Sequence, residues 1–254
     1  MIRLLRAEVR KVYTTKLWWG MLLGAMALTA LSVVAQIASN GLRANLGPPL
    51  SSAITQKSIA GSASEAFLFS LIVGIILITT EFRHFTSRPT FLIEPHRGRV
   101  ILAKMVTAIG IGILYGVVCV ALAVGIMVPW LNAKGVAILW ISGGVLQSLL
   151  GAVVVIAIFA VVGVGVGVML RNQIAAVVGA LAVLFVIEPL ILIIPVIQNV
   201  YIYLPGAAAS AITGSRSSGQ VSLLAPWQGG LVLLGWGVIF ALLGWIFTVF
   251  RDVP

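Results

Sequence analysis

The sequence predicts an all-α integral membrane protein with six transmembrane helices, and three observations support this prediction. Of the 254 residues, 61% are hydrophobic and 9% are charged, whereas soluble domains carry about 25% charged residues. The charged residues cluster in short segments, and the apolar runs between them are long enough to cross a hydrocarbon core about 30 Å thick. The alternating pattern of a membrane β-barrel is absent from the sequence. We therefore expect one transmembrane domain covering residues 1–254, in which every span is a helix.

Residues 2–16 have the pattern of an amphipathic helix lying in the membrane interface. One helical stripe is apolar and the other is basic, because Ile2, Leu5, Val9, Val12 and Tyr13 share one face, and Arg3, Arg6 and Arg10 share another. A membrane anchor and a brace against a partner protein are both compatible with this pattern. The formal net charge of +10 sits in segments beside the membrane, so we attribute it to orientation and expect no nucleic-acid partner.

Apolar runs place the six spans at about 17–38, 63–80, 105–128, 146–170, 173–189 and 227–250. Between the first two spans, residues 39–64 are polar and carry turn signals, which predicts an exposed loop. Pro129 is expected to close the third span. Pro189, Pro195 and Pro205 each remove a backbone donor, so we expect one or two short re-entrant helices over residues 190–204.

The distribution of cations predicts the orientation. Six spans put both termini on the same side. That side holds twelve of the sixteen Lys and Arg residues, and the loops of the other side hold Arg43, Lys57, Lys134 and Arg216. Because cytoplasmic segments carry the excess of Lys and Arg, we expect both termini in the cytoplasm.

The longest charged stretch, residues 81–104, lies between the second and third spans and holds both histidines. Thr86 or Ser87 can cap a short helix, Pro89 suits its first turn, and Pro95 ends it. Its middle, Thr90, Phe91, Leu92 and Ile93, is apolar or neutral between flanking cations. We interpret this helix as a docking element for a soluble partner; the alternative is a solvated loop. Glu81, at a helix C-terminus, needs a cation, for which Arg83 or an N-terminal arginine is expected.

Several kinds of chemistry lack their residues in this chain. No G-x-x-x-x-G-K-[ST] motif is present, so the chain has no phosphate-binding loop of this type. No histidine lies in a span, which argues against an intramembrane Ser-His or zinc centre, and we expect neither a catalytic residue nor a metal site. Ionisable groups are nearly absent from the spans, so a proton or sodium relay lacks its parts. If the protein drives uphill transport, another chain must supply the energy.

Several segments resemble bacterial type-2 ABC exporter permeases. These are the opening LLRAEVRK with Thr14 and Thr15, the stretch EFRH with Thr86, Thr90-Phe91-Leu92, Pro95, Arg97 and Ala103-Lys104, and the run YLPGA at 203–207. The resemblance covers nearly the whole chain, and it departs from the family at Phe85, where a small residue is expected. It implies a location in the bacterial plasma membrane.

The resemblance also implies partners. This chain would pair with a second permease, identical or different, and with two copies of an ABC ATPase that binds ATP and Mg²⁺, while binding no cofactor itself. The cargo would be an apolar or amphipathic drug, peptide antibiotic or lipid leaving the cytoplasm. An ATP-independent carrier or pore is the alternative. The implied ATPase-coupling residues are Glu81, Arg83, His84, Thr86, Arg88, Pro89, Thr90, Phe91, Leu92, Glu94 and Pro95, and the implied N-terminal interface consists of Arg3, Arg6, Glu8, Arg10 and Lys11.

Glu188 is the one acidic residue inside the predicted fifth span. At 17 residues past Arg171 it lies about 25 Å along a helix, near the outer edge of the hydrocarbon core. We expect it, with Pro189, Tyr203 and Pro205, to form an outer gate or part of a substrate path. A structural role in capping broken helix pieces and a direct substrate contact both remain open for Glu188.

Overall fold

The computed structural model describes residues 2–42, 48–83, 97–214 and 222–250, and within these ranges the chain forms helices and no strand. Six helical stretches are long and apolar enough to cross a membrane. Large apolar side chains such as Leu23, Val178 and Leu242 are more than half exposed on their outer faces. Such faces suit contact with lipid, and the protein is a multi-pass membrane protein with the predicted all-α fold.

The helices follow in chain order. They are α1 (Ile2–Thr14), α2 (Leu17–Leu42), α3 (Ala53–Gly61), α4 (Phe67–Arg83), α5 (Arg97–Ala133), α6 (Val145–Leu170), α7 (Gln173–Ala182), α8 (Glu188–Ile193), α9 (Pro205–Thr213) and α10 (Pro226–Phe250). A 3₁₀ turn (Ser62–Ala66) joins α3 to α4, a π-helical turn (Val183–Ile187) joins α7 to α8, and a 3₁₀ helix (Gln198–Tyr203) precedes α9. The candidate spans are Leu17–Asn40, Ala53–Arg83, Gly98–Ala133, Val145–Leu170, Gln173–Ile193 and Pro226–Phe247.

Helix α6 is the centre of the bundle, with α4, α5 and α10 packed around it. Glycines allow the close approach that this packing requires. A Cβ added to Gly74 of α4 would collide with the carbonyl oxygen of Ala160, and one added to Gly163 of α6 would collide with that of Leu71. A Cβ added to Gly112 of α5 would come within 2.7 Å of the Cα of Ala157 in α6. The spaced glycines of α5 and α6 therefore serve helix packing, as small residues do in membrane bundles.

Side-chain contacts show which ends of the helices lie together. At one end, Arg171 donates a hydrogen bond to the carbonyl oxygen of Phe247 at 3.2 Å. Its guanidinium carbon lies 5.6 Å from the ring centroid of Phe82. At the other end, Gln56 donates to the carbonyl oxygen of Ala137 at 2.9 Å and accepts from the backbone N–H of Leu139 at 2.8 Å. The first end brings together the ends of α4 and α10 and the turn after α6, which carries Arg171. We call it the cation-rich end.

The prediction of an exposed loop over residues 39–64 was wrong. Helix α2 continues to Leu42, and residues 53–61 form α3, which Ser52 caps by accepting from the backbone N–H of Thr55 at 3.3 Å. The polar composition of α3 is misleading because Gln56 is fully buried and uses its amide to hold the 137–139 backbone. The second span is thus a single stretch from Ala53 to Arg83 rather than 63–80.

Pro129 and Pro189 were also expected to end their spans, and in both cases the helix continues past the proline. Helix α5 passes through Pro129 and ends at Ala133, because Met127 and Leu131 on either side are buried in one core cluster with Val33 and Ile37. The fifth span was expected to end at Pro189 but continues to Ile193. Its π-helical turn lets the N–H of Glu188 bond to the carbonyl oxygen of Val183. The change of hydrogen-bond register falls next to the residue that has no N–H to donate.

The break in the chain comes at Pro195 instead, after Ile194 adopts an extended conformation. Within residues 190–204, for which one or two short re-entrant helices were predicted, α8 ends at Ile193 and one 3₁₀ helix follows at Gln198–Tyr203. The next helix, α9 (Pro205–Thr213), begins after this range. Pro205 is its first residue, a position that suits proline because its missing N–H would have no helical partner there.

Candidate functional site

Four charged side chains from three helices meet at the cation-rich end, and we call them the ion-pair quartet: Glu8 and Lys11 of α1, Glu81 of α4 and Lys104 of α5. The Nζ of Lys104 lies 2.7 Å from Oε2 of Glu8 and 2.8 Å from Oε1 of Glu81. The Nζ of Lys11 lies 2.8 Å from Oε1 of Glu8 and 2.8 Å from Oε1 of Glu81. Each lysine therefore bridges both carboxylates.

The quartet is buried on one side and open on the other. The side chains of Lys104, Glu8 and Glu81 are 1%, 2% and 9% exposed, whereas that of Lys11 is 50% exposed. Burial lowers the pKa of Lys11, but its hydrogen bonds to Glu8 and Glu81 outweigh burial and raise the pKa above its ordinary value. The two cations balance the two anions. Charges can therefore be buried together at this helix junction, whereas a single unpaired charge could not.

The position of the quartet in the chain allows it to link the movements of three helices. Glu81 lies two residues before the end of α4, and Lys104 lies in the second turn of α5. These two helices flank the stretch 84–96, so the quartet joins both roots of that stretch to each other and to α1. A displacement of any of the three helices must stretch or break at least one ion pair.

The junction between α1 and α2 is held as well. Tyr115 is fully buried in α5, and its hydroxyl donates to the backbone oxygen of Trp18 at 2.6 Å, just after the turn between α1 and α2. A cavity of about 200 Å³ lies between α1 and α4, with Glu8, Glu81 and Trp18 in its wall. Helix α1 is thus held by the quartet at Glu8 and Lys11 and, through Trp18, at its junction with α2.

Three of the predicted coupling and interface residues, Glu8, Lys11 and Glu81, are brought together here. The predicted partner of Glu81 was wrong, because Lys104 and Lys11 pair with it and Arg83 is exposed. The lone lysine in the apolar run VILAKMV was the available signal for Lys104. Arg6 and Arg10 are exposed on α1. Arg3 belongs to α1, and its side chain is outside the described part.

The remaining predicted coupling residues lie outside the described residues. They are His84, Thr86, Arg88, Pro89, Thr90, Phe91, Leu92, Glu94 and Pro95.

A second polar site lies toward the opposite end, around Glu188. This side chain is 3% exposed, and its Oε1 accepts a hydrogen bond from the backbone N–H of Gly206 at 3.1 Å. Gly206 is the second residue of α9, so the carboxylate lies against the N-terminus of that helix, where the dipole favours an anion. The contact ties the fifth span to the short helix before the sixth.

A cavity of about 220 Å³ opens beside this contact. Glu188, Pro189 and Tyr201 contribute to its wall, together with Glu65 and apolar residues of α2, α4 and the fifth span. Ser32 of α2 donates a hydrogen bond to Oε2 of Glu65. The cavity is therefore mostly apolar with two carboxylates in its wall, one from each side of the bundle.

Tyr203 and Pro205, also predicted for this region, are placed differently. Tyr203 is 55% exposed, and its carbonyl oxygen accepts from Nε1 of Trp236 at 2.8 Å. Pro205 is buried as the first residue of α9. Both residues position α9 against its surroundings, while neighbouring residues line the cavity.

Within the described ranges, no three His, Cys, Asp or Glu side chains come together in a way that could hold a metal ion. The chain matches no protein-family model, and no curated protein matches it. The functional assignment therefore depends on the residues and their geometry.

Proposed function

We propose that this protein is the transmembrane permease subunit of an ATP-driven ABC exporter in the bacterial plasma membrane. It pairs with a second permease and with two ATPase subunits, and it has no enzymatic activity or bound cofactor of its own. Both termini and the stretch 84–96 face the cytoplasm, where the ATPase binds ATP and Mg²⁺.

The observation that supports this proposal best is the ion-pair quartet. In a coupled transporter, a movement imposed by a partner on a cytoplasmic segment must reach the spans. The segment 84–96 connects to α4 and α5, whose roots are joined by Lys104 and Glu81. Because helices are stiff and the ion pairs are short, α4, α5 and α1 respond together when the segment moves.

The sequence of 84–96 supplies the docking chemistry in this proposal. Its capping signals favour a short helix, on which Phe91 and Leu92 would form an apolar ridge between cations. An apolar groove with an acidic rim on the ATPase would complement such a helix.

The cavity beside Glu188 is the proposed end of the substrate path. Its wall is largely apolar, which suits a drug-like molecule, a peptide antibiotic or a lipid. The hydrogen bond from Gly206 to Glu188 would hold α9 over the cavity as an outer gate. In this proposal, a movement of α4 and α6 changes the shape of the cavity, because the helices of the bundle are packed against one another.

The test is reconstitution of the tagged chain with the ATPase that copurifies with it, followed by measurement of ATP hydrolysis and export in proteoliposomes. We expect the double variant Glu8→Gln with Lys104→Met, which leaves neither partner of the buried pair charged, to keep ATPase binding and to lower transport per ATP hydrolysed. Lys134→Met is the matched control, since Lys134 is exposed near the end of α5 remote from the quartet.

Two outcomes would contradict the proposal. One is that no nucleotide-hydrolysing subunit copurifies with the chain. The other is that the chain alone, in lipid vesicles without ATP, transports the cargo at the full rate. The second outcome would favour an ATP-independent carrier or pore.

A further inference from the structure

A groove on the outside of the bundle, between α1 and α5, is not used by the proposed coupling function. Its volume is about 360 Å³. One wall is the apolar stripe of α1 with Leu5, Val9 and Tyr13, and the other is α5 from Val106 to Leu114. Thr107 is the one hydroxyl in the α5 wall, and it already donates to the carbonyl oxygen of Ala103 at 2.9 Å. The groove thus calls for an apolar occupant.

The groove opens toward lipid. Val9 and Tyr13 on its α1 lip are 40% and 58% exposed, and Val106 on its α5 wall is 44% exposed. The α5 wall belongs to the candidate span Gly98–Ala133. From Val106 to Leu114 the wall extends about 12 Å along the helix, close to one leaflet of the hydrocarbon core. An acyl chain from the adjoining leaflet has this length and this polarity.

The lip of the groove is positively charged. On a helix, Arg6 neighbours Val9 and Arg10, and Arg10 neighbours Tyr13, so both arginines follow the exposed edge. Both are exposed, and within the part of the chain that the structure describes neither has a carboxylate within 4.0 Å. The carboxylate of α1, Glu8, is already paired with Lys11 and Lys104. The charge of this lip therefore suits a phosphate.

We propose that the α1–α5 groove is a binding site for one anionic phospholipid. One acyl chain lies in the groove, and the headgroup phosphate binds Arg6 and Arg10. The bound lipid fills the space under α1 on the side away from the quartet. The inference does not depend on the identity of the ATPase or on transport, so the two proposals fail separately.

The structure offers a variant that places a large side chain in the groove with no collision at its Cβ. Gly110 lies in the α5 wall, and a Cβ added there meets no atom within 4 Å. Gly110→Phe would fill the groove from its floor. Gly125→Phe is the matched control, because Gly125 is on the same helix, has the same open space around its Cβ and lies outside the groove.

The experiment is native mass spectrometry of the purified full-length chain after exchange with phosphatidylglycerol or phosphatidylcholine carrying the same palmitoyl and oleoyl chains. We expect one retained phosphatidylglycerol on the wild type and on Gly125→Phe, and loss of this adduct in Gly110→Phe. Arg6→Gln with Arg10→Gln should lower the affinity for phosphatidylglycerol about thirtyfold, at ~1 kcal/mol per cation. Soluble glycerol 3-phosphate should not compete, since it has no acyl chain.

Equal retention of the two lipids by the wild type would overturn the proposal, because it would remove the role of the arginines. Unchanged retention by Gly110→Phe would overturn it as well, because the lipid would then lie elsewhere. The arginine variant keeps the test decisive if Gly110→Phe fails to fold, since Arg6 and Arg10 are exposed surface residues.

Discussion

The Nζ of Lys104 lies 2.7 Å from Oε2 of Glu8, although 96 residues separate them and both side chains are almost completely buried. The pair joins the N-terminal helix to the root of the third span. Because Lys104 also contacts Glu81, the same ammonium group joins the second span to both.

Neutralising one member of the buried pair should destabilise the protein strongly. Glu8→Gln or Lys104→Met leaves an opposing charge buried with reduced compensation, at a cost of about 3–5 kcal/mol. The double variant should lose much less than the sum, since it removes both charges. Thermal unfolding in detergent, followed by size-exclusion chromatography, measures the cycle. Arg6→Gln, on the exposed face of α1, should change stability by less than about 0.5 kcal/mol. Additive losses would show that the two side chains do not interact.

The contact between Glu188 and Gly206 predicts a second pair of variants. Glu188→Ala removes the acceptor of the Gly206 N–H, at a cost of about 1–3 kcal/mol. Gly206→Ala should also destabilise, because its Cβ would collide with the Glu188 carboxylate. Gly230→Ala is the control, since a Cβ there meets no atom within 4 Å. If Glu188→Ala unfolds like the wild type, the side chain has no capping role, and if Glu188→Gln exports at the wild-type rate, the charge has no gating role.

Close packing of α4 against α6 predicts a steep cost for added volume. Gly163→Ala places a methyl group against the backbone of Leu71, and overpacking of this kind costs about 1–3 kcal/mol. Gly125→Ala in α5 has open space around the new Cβ and should be neutral or stabilising by up to ~1 kcal/mol. Melting temperatures of the two variants in the same detergent provide the comparison. Equal melting temperatures would mean that α4 and α6 are farther apart than described.

The apolar ridge of the 84–96 stretch should be required for binding the ATPase. Phe91→Asp with Leu92→Asp introduces two charges into the proposed contact, and we expect the ATPase to be lost from the copurified complex. Asn132→Asp with Ala133→Asp adds the same charges at the exposed far end of α5 and should leave the complex intact. Full ATPase binding by the ridge variant would exclude this docking assignment.

Labelling from either side of the membrane tests the orientation. Cys119 is completely buried, so wild-type cells should show little reaction with a membrane-impermeant maleimide. Ser51 is exposed before α3, and Thr15 is exposed after α1. We expect Ser51→Cys to react in intact cells and Thr15→Cys to react only after the membrane is opened. The reverse pattern would place the quartet and the 84–96 stretch outside the cell.

Several local features could not be read from the sequence because their outcome depends on distant residues. Gln56 looked like part of a polar loop, yet it is buried because the backbone of residues 137–139 satisfies its amide. Pro129 looked like a helix end, yet packing of Met127 and Leu131 against α2 and α3 carries the helix past it. In both cases a tertiary contact offset a local preference.

The sequence by itself determined the class of the protein and the number of its spans. A hydrocarbon core leaves a long apolar segment no alternative to a helix, because backbone groups find no other hydrogen-bond partners there. Only the tertiary structure decided which cation pairs with Glu81 and which residues close over Glu188. Those choices depend on which helices approach one another, and that follows from the packing of glycines and side chains over the whole bundle rather than from any one segment.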